Sequence, residues 1–336
     1  MPWETWQPGG PSPAGGIRWQ HMAHERENSG VAWLPAWAGP AAALAALGLA
    51  LAGAPEAQVF RSGIDLASFG VTVVDRKGGL VTDLTRDDFE VREDGRPQSI
   101  TLFSRGDATE SVPPLHLGLL FDTSSSMEES IGFSRSAAIK FLNTVQEAQD
   151  ITLVDFDTEV RVVRYGQHDF ARLVERIRKR KPDGNTALYD ALGVYLDGAS
   201  SEDGRRTLVL YTDGGDTSSS MSYGEAQTLL RASDITLYAV GFLAHMSQSG
   251  QMDQRMKLRT LAEITGGLAF FPSVIKDLDP TYEKIAAEIR GQFTLGYLST
   301  NTKLDGAWRK VEIKVNRPGV KVRTRQGYYA PFREQR

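Results

Sequence analysis

The chain has 336 residues, is 41% hydrophobic, carries a net charge of −4 and contains no cysteine. That length exceeds a usual single domain and that apolar fraction can fill a sizeable core, which excludes a globally disordered chain. The near-balanced charge and the lack of a basic block argue against a nucleic-acid binder, and the missing cysteines exclude disulfides, thiolate metal sites and cysteine nucleophiles.

Residues 1–30 are rich in Pro, Gly, Trp and polar residues without periodicity, and disorder is expected there, with Met22 as an alternative start. Residues 31–53 hold a short Ala/Leu-rich run bent at Pro40. Ala52, Ala54 and Ala57 follow in the spacing of a cleavage site, and Arg26 supplies a weak positive flank. The run is at the lower length limit for crossing a bilayer, so the expectation is an export signal over about residues 31–57, cleaved or kept as an anchor. The chain is then secreted, periplasmic or held at the cell envelope.

Residues 59–112 carry short β-type runs at Phe69–Val74, Phe89–Arg92 and Ser99–Phe103, separated by turn signals at Arg76–Gly79 and Glu93–Arg96. This is the spacing of a small sandwich-like sheet. Leu84–Phe89 reads as a short helical turn capped by Thr85, and Ser104–Pro114 as a polar linker.

Residues 115–299 alternate strand and helix. Strands are expected over 115–121, 151–156, 160–165, 206–212, 235–242, 268–272 and 293–298. Helices are expected over 127–148, 169–180, 187–199, 223–233, 254–265 and 279–291. Several strand runs are almost wholly apolar, as parallel strands covered on both faces are. The tight link Asp157–Glu159 makes its two strands an antiparallel hairpin at a sheet edge. The expected fold class is α/β, a doubly wound, mostly parallel, Rossmann-like sheet with one antiparallel edge strand. Arg176–Lys181 reads as the solvated C-terminal end of a helix, where cations suit the dipole. Residues 300–331 return to β character, with period-two alternation over Trp308–Asn316. This tail is too small to stand alone and is expected to pair with 59–112, so that both flanks build one β-sandwich-like module.

Three loops fall on strand-to-helix sides of the parallel sheet and therefore converge on one edge: Asp122–Ser126, Asp183–Thr186 and Thr212–Asp216. Hydroxyls of Ser124, Ser126 and Thr186 can bind a hard cation such as Mg²⁺ (or Mn²⁺ or Ca²⁺) without adding negative charge. Asp122 and Asp213 can hold metal-bound waters and orient the hydroxyls. A cation held this way stays under-neutralised, so an Asp or Glu of a partner protein supplies both a ligand and the missing charge. Each piece also has a plainer reading. Ser126 heads a capping box with Glu129, Thr186 suits a helix N-cap, and Asp213-Gly214-Gly215 is a common turn. Asp216–Ser220 reads as a solvated loop, and Ala244–Gln251 as a polar loop beside it.

Catalysis is not expected. His21, His24, His116, His168 and His245 form no ligand pair or triad spacing, and no nucleophile elbow or phosphate-cradling loop is present. The competing readings are a structural scaffold with an unoccupied site and a metal-dependent hydrolase using Asp122 or Asp213.

The segments DTSSS, NTALYDAL and TDGGD resemble the motifs of the von Willebrand factor type A domain, over about 115–299. LTRDDFEVREDGRPQSI and WRKVEIKVNRPGVKVRTRQGYYAP resemble the flanks of the bacterial VWFA-related proteins, typically of acidobacterial origin. The resemblance implies a metal-ion-dependent adhesion site with Ser124, Ser126 and Thr186 as direct or switchable ligands. It implies Asp122 and Asp213 acting through water; with the residue pattern above, the expectation is a protein partner, no catalytic residues, no nucleic acid, and membrane contact only through an N-terminal anchor.

Overall fold

The computed structural model describes residues 66–106, 112–199 and 203–332. The disordered start and export signal expected over 1–58 lie outside these described residues. Four strands come first: β1 (Leu66–Asp75), β2 (Phe89–Glu93), β3 (Arg96–Gln98) and β4 (Ile100–Arg105). The α/β region follows, with β5 (Leu115–Asp122), α1 (Ile131–Thr144), β6 (Ala148–Phe156), β7 (Val160–Gly166), α2 (Phe170–Lys179) and α3 (Leu188–Ala199). It continues through β8 (Arg205–Thr212), α4 (Tyr223–Ala232), β9 (Thr236–Gly241), α5 (Gln248–Ile264), β10 (Leu268–Phe270) and α6 (Leu278–Gly291). The chain ends in β11 (Phe293–Leu298), β12 (Trp308–Val315), β13 (Val320–Arg323) and β14 (Gly327–Tyr329).

The six-stranded sheet runs β10-β9-β8-β5-β6-β7. Every pairing in it is parallel except β6 with β7, the antiparallel hairpin at the edge. All residues of β5, β8 and β9 but Arg206 are buried, because helices cover both faces. Leu117, Leu119 and Phe121 pack with Phe141 and Ile285 on one face, and Leu120 packs with Leu192 and Leu210 on the other. Each such side chain contributes roughly 1.5–3 kcal/mol on leaving water.

Helix α1 is shorter at both ends than its apolar spacing suggests. A 3-10 turn spans Ser125–Glu128, and the α-helix begins only at Ile131. The hydroxyls of Ser124 and Ser126 bond sideways, to each other and to carboxylates, rather than to helix amides.

The strand over 293–298, expected within the α/β region, belongs elsewhere. β11 lies antiparallel between β1 and β4 in a four-stranded sheet ordered β13-β1-β11-β4. Phe293 explains the placement: its buried ring meets Phe89 at 5.2 Å and Phe103 at 5.9 Å, aromatic partners that exist only there. A second four-stranded sheet, β14-β12-β2-β3, packs against the first through Phe69, Val71, Val91, Leu295 and Ile313. β1 pairs with β13 and β2 with β12, so strands from both ends of the chain share this sandwich.

The sandwich rests against the N-terminal ends of the parallel strands. Arg325 donates to the carbonyls of Ser233 (2.8 Å) and Ser68 (2.7 Å), and Gln292 Nε2 donates to Thr236 Oγ1 (3.2 Å). The opposite, C-terminal edge of the strands is left to the loops. The basic run also differs from expectation. Arg176 donates from Nε to Asp155 Oδ1 at 2.7 Å, and Arg180 pairs with the same carboxylate. Asp155 is buried at the end of β6 and requires that counter-charge, so these two arginines are not simply solvated.

Candidate metal centre

β5 carries Asp122 to the C-terminal edge of the sheet, where it is fully buried. Its Oδ1 accepts hydrogen bonds from Ser124 N (2.9 Å) and Ser124 Oγ (2.6 Å), and its Oδ2 accepts from Thr212 Oγ1 (2.6 Å). Ser124 Oγ lies 3.0 Å from Ser126 Oγ, which donates to Asp213 Oδ1 at 2.8 Å. One chain of contacts therefore joins both carboxylates and both serines across the ends of β5 and β8. The plain capping reading of Ser126 does not hold, because its hydroxyl is spent on Asp213.

The second loop is sewn to the first by its backbone. Asp183 N donates to Thr123 O (2.9 Å) and Ser125 N donates to Gly184 O (3.0 Å). Gly184 has φ +67°, and a Cβ there would lie 2.4 Å from Thr158 Oγ1, so only glycine makes this turn. The loop delivers Thr186, buried, to the same edge.

Thr186 is itself clamped. Its N–H donates to Thr217 Oγ1 (2.9 Å), and its carbonyl accepts from Thr217 N (2.9 Å) and Ser218 N (3.1 Å). Asp216 accepts from Tyr189 N at 3.1 Å and pairs with the Ser219 hydroxyl, and so caps α3. The segment Asp216–Ser220, read from sequence as a solvated loop, is thus a brace, and the N-cap expected of Thr186 is supplied by Asp216. A run of short polar residues facing a helix start was the only signal available. His245 was also missed: its Nε2 lies 4.0 Å from Asp213 Oδ2.

The electrostatics of the edge are incomplete. Burial pushes the Asp122 carboxyl up to about 7 against the pull of the Ser124 and Thr212 hydrogen bonds, and the charge of Asp213 adds to the rise. Burial likewise raises Asp213. Asp213 Oδ2 is buried with no hydrogen-bond partner. Two desolvated carboxylates bonded to the hydroxyls of Ser124, Ser126 and Thr212 form an all-oxygen set that suits a hard cation. Among the described residues no three His, Asp or Glu side chains converge on one point, so an ion here depends on the hydroxyls.

The two carboxylates and their hydroxyl partners thus gather at the C-terminal ends of the strands, the edge at which open α/β sheets commonly bind their ligands. The chain belongs to the von Willebrand factor type A domain family, whose profile matches residues 116–284. No curated protein matches the chain. Among solved structures it is similar to a von Willebrand factor type A protein from Catenulispora acidiphila, at 13% identity and TM-score 0.45, over 82% of this chain and 76% of that one. It is also similar to the PilB minor pilin from Streptococcus sanguinis, at 15% identity and TM-score 0.43, over 55% of this chain and 63% of the pilin. A third is the vWF domain of the type V pili tip protein Mfa5 from Porphyromonas gingivalis, at 12% identity and TM-score 0.43, over 53% of this chain and 97% of that domain.

Proposed function

We propose that the protein is an exported, metal-dependent protein-binding module, not an enzyme. Its site takes a divalent cation, Mg²⁺ first, and through it a carboxylate of a partner protein. The supporting observation is the buried, unpartnered Oδ2 of Asp213 at the end of a contact chain through Ser126, Ser124 and Asp122. A buried carboxylate oxygen left unpaired costs about 1–3 kcal/mol or more, a cost that a cation removes.

Ser124, Ser126 and Thr186 would hold the ion, with Asp122 and Asp213 orienting them and holding its waters. The ion supplies a positive, open coordination position for an incoming carboxylate. Asp122 fixes Ser124 from two directions, and Asp213 fixes Ser126, so the hydroxyls are pre-aligned before anything binds. The serine hydroxyls donate to carboxylates that hold them in place, and none of the hydrogen bonds that fix them involves an imidazole. Export rests on the apolar run within residues 31–57.

Calorimetric titration of the EDTA-treated protein with Mg²⁺ and Mn²⁺ tests the reading. Wild type binds, Asp122→Ala does not, and Mg²⁺ at a hundred times its Kd raises unfolding stability by about 2.7 kcal/mol. Capture of an envelope protein with Mg²⁺, abolished by EDTA and by Asp122→Ala, supports the partner half. Absence of ion binding by wild type refutes the proposal.

A further inference from the structure

Resting on that reading of the edge, we propose that His245 is a further ligand of the same ion. It leaves the affinity for Mg²⁺ in place and adds affinity for a first-row transition ion such as Mn²⁺, Co²⁺ or Zn²⁺.

The geometry lies in one gap. Asp213 Oδ2 is buried and bonded to nothing, and His245 Nε2 faces it from 4.0 Å. That separation is too long for a hydrogen bond, whose heavy atoms approach to about 2.7–3.2 Å. A cation bonded at about 2.0–2.1 Å to the imidazole nitrogen and about 2.0–2.2 Å to the carboxylate oxygen holds those two atoms about 3–4 Å apart, so one ion fits the gap, with Asp213 then a direct ligand in place of its contact through water. The other oxygen of the same carboxylate is held by Ser126, so Asp213 is fixed with its free oxygen toward the imidazole.

The placement of His245 is built by the fold. The segment after β9 stays attached to β8 through Phe242 N, which donates to Thr212 O at 2.9 Å. Phe242 and Leu243 are buried, and Met246 N closes a turn onto Leu243 O at 3.1 Å. The imidazole stands on that turn, partly open to solvent, with its side chain 34% exposed. It can thus reach the ion from the solvent side without being buried beforehand.

The consequence is chemical. Every other donor at this edge is an oxygen, the ligand type of Mg²⁺ and Ca²⁺. An imidazole nitrogen adds little for those ions, more for Mn²⁺ and most for Co²⁺ or Zn²⁺, whose affinities for nitrogen rise along the first row. A plain ion pair between a protonated His245 and Asp213 would leave this selectivity unchanged.

The test uses the full chain loaded with Mn²⁺ and read by electron spin-echo spectroscopy for ¹⁴N coupling, beside calorimetry of Mn²⁺ and Mg²⁺. Wild type should show ¹⁴N coupling. His245→Gln and His245→Ala should abolish it and weaken Mn²⁺ about tenfold while leaving Mg²⁺ within about twofold. The Ser124→Ala/Ser126→Ala double variant should lose both ions and the coupling. Binding of both ions without ¹⁴N coupling, or coupling that survives in either set of variants, overturns the role of His245 and leaves the oxygen site standing. Failure of wild type to bind either ion overturns the oxygen site and this proposal together.

Discussion

Two buried carboxylates sit at opposite ends of this molecule and are treated in opposite ways. Glu93, in the sandwich, accepts hydrogen bonds from Tyr297 Oη (2.7 Å), Tyr328 Oη (2.8 Å) and Ser299 Oγ (2.6 Å). Its charge is answered within the protein by donors from β11, β14 and the segment after β11. Asp213, at the C-terminal edge of the parallel sheet, has one hydroxyl on one oxygen and nothing on the other. Burial alone therefore does not mark a binding site. The proposed cation site rests instead on the unpaired oxygen, because a satisfied buried polar group rigidifies and an unsatisfied one costs free energy until something arrives.

The comparison breaks most visibly at Glu93. Glu93→Ala strands the buried hydroxyl of Tyr297 and the half-buried ones of Ser299 and Tyr328, and should lower unfolding stability by about 3–5 kcal/mol in urea titrations. Its Mg²⁺ affinity should stay within about twofold of wild type, since Glu93 lies in the sandwich at the far end of the strands. A loss under about 1 kcal/mol, or a parallel collapse of metal affinity, would mean that the two ends are not independent.

Proton linkage sharpens the other half. In the metal-free protein the folded-state value for Asp122 is raised to about 7, above the unfolded carboxyl value of roughly 3.9. The folded state thus holds a proton that the unfolded chain has released between those values. The contribution is fully present below about pH 4 and is lost as pH rises through about 7. Urea unfolding in EDTA, taken as the difference between wild type and Asp122→Asn, should show wild type losing up to about 4 kcal/mol across that window. A difference that is flat, or that rises with pH, would contradict the desolvated state of Asp122.

Much of this edge was legible because strand ends can be located from apolar runs. Asp122 and Asp213 each close a nearly unbroken hydrophobic strand, and strand-to-helix loops of a parallel sheet must share an edge. The antiparallel hairpin was legible from the three residues Asp157–Glu159 between its strands. What stayed hidden depends on partners distant in sequence. Ser126 fits a capping box locally, yet its hydroxyl goes to a carboxylate 87 residues away. β11 looks like any apolar strand of the α/β region, and only the rings of Phe89 and Phe103 give Phe293 its place. Arg176 and Arg180 look like a solvated helix end until buried Asp155 is seen beneath them. His245 has no spacing signature because it follows β9 while its neighbour Asp213 follows β8.

The two runs spelled DTSSS make the smallest and most local test. In the first, Asp122 ends a buried strand and its serines face the carboxylates. In the second, Asp216 caps α3 and Thr217 grips the backbone of Thr186 through two hydrogen bonds of 2.9 Å. Thr217→Val keeps the shape and the backbone bond but removes the acceptor for Thr186 N. It should cost about 0.5–1.5 kcal/mol of stability, as one hydrogen bond does. If the grip also aims the Thr186 hydroxyl, Mg²⁺ affinity should fall several-fold, up to about tenfold, with Thr217→Ser restoring it. Calorimetry and urea unfolding on the same samples separate the two effects. Lost stability with intact affinity would make the second run a brace for α3 alone, and Thr186 would then owe its position to the Gly184 turn.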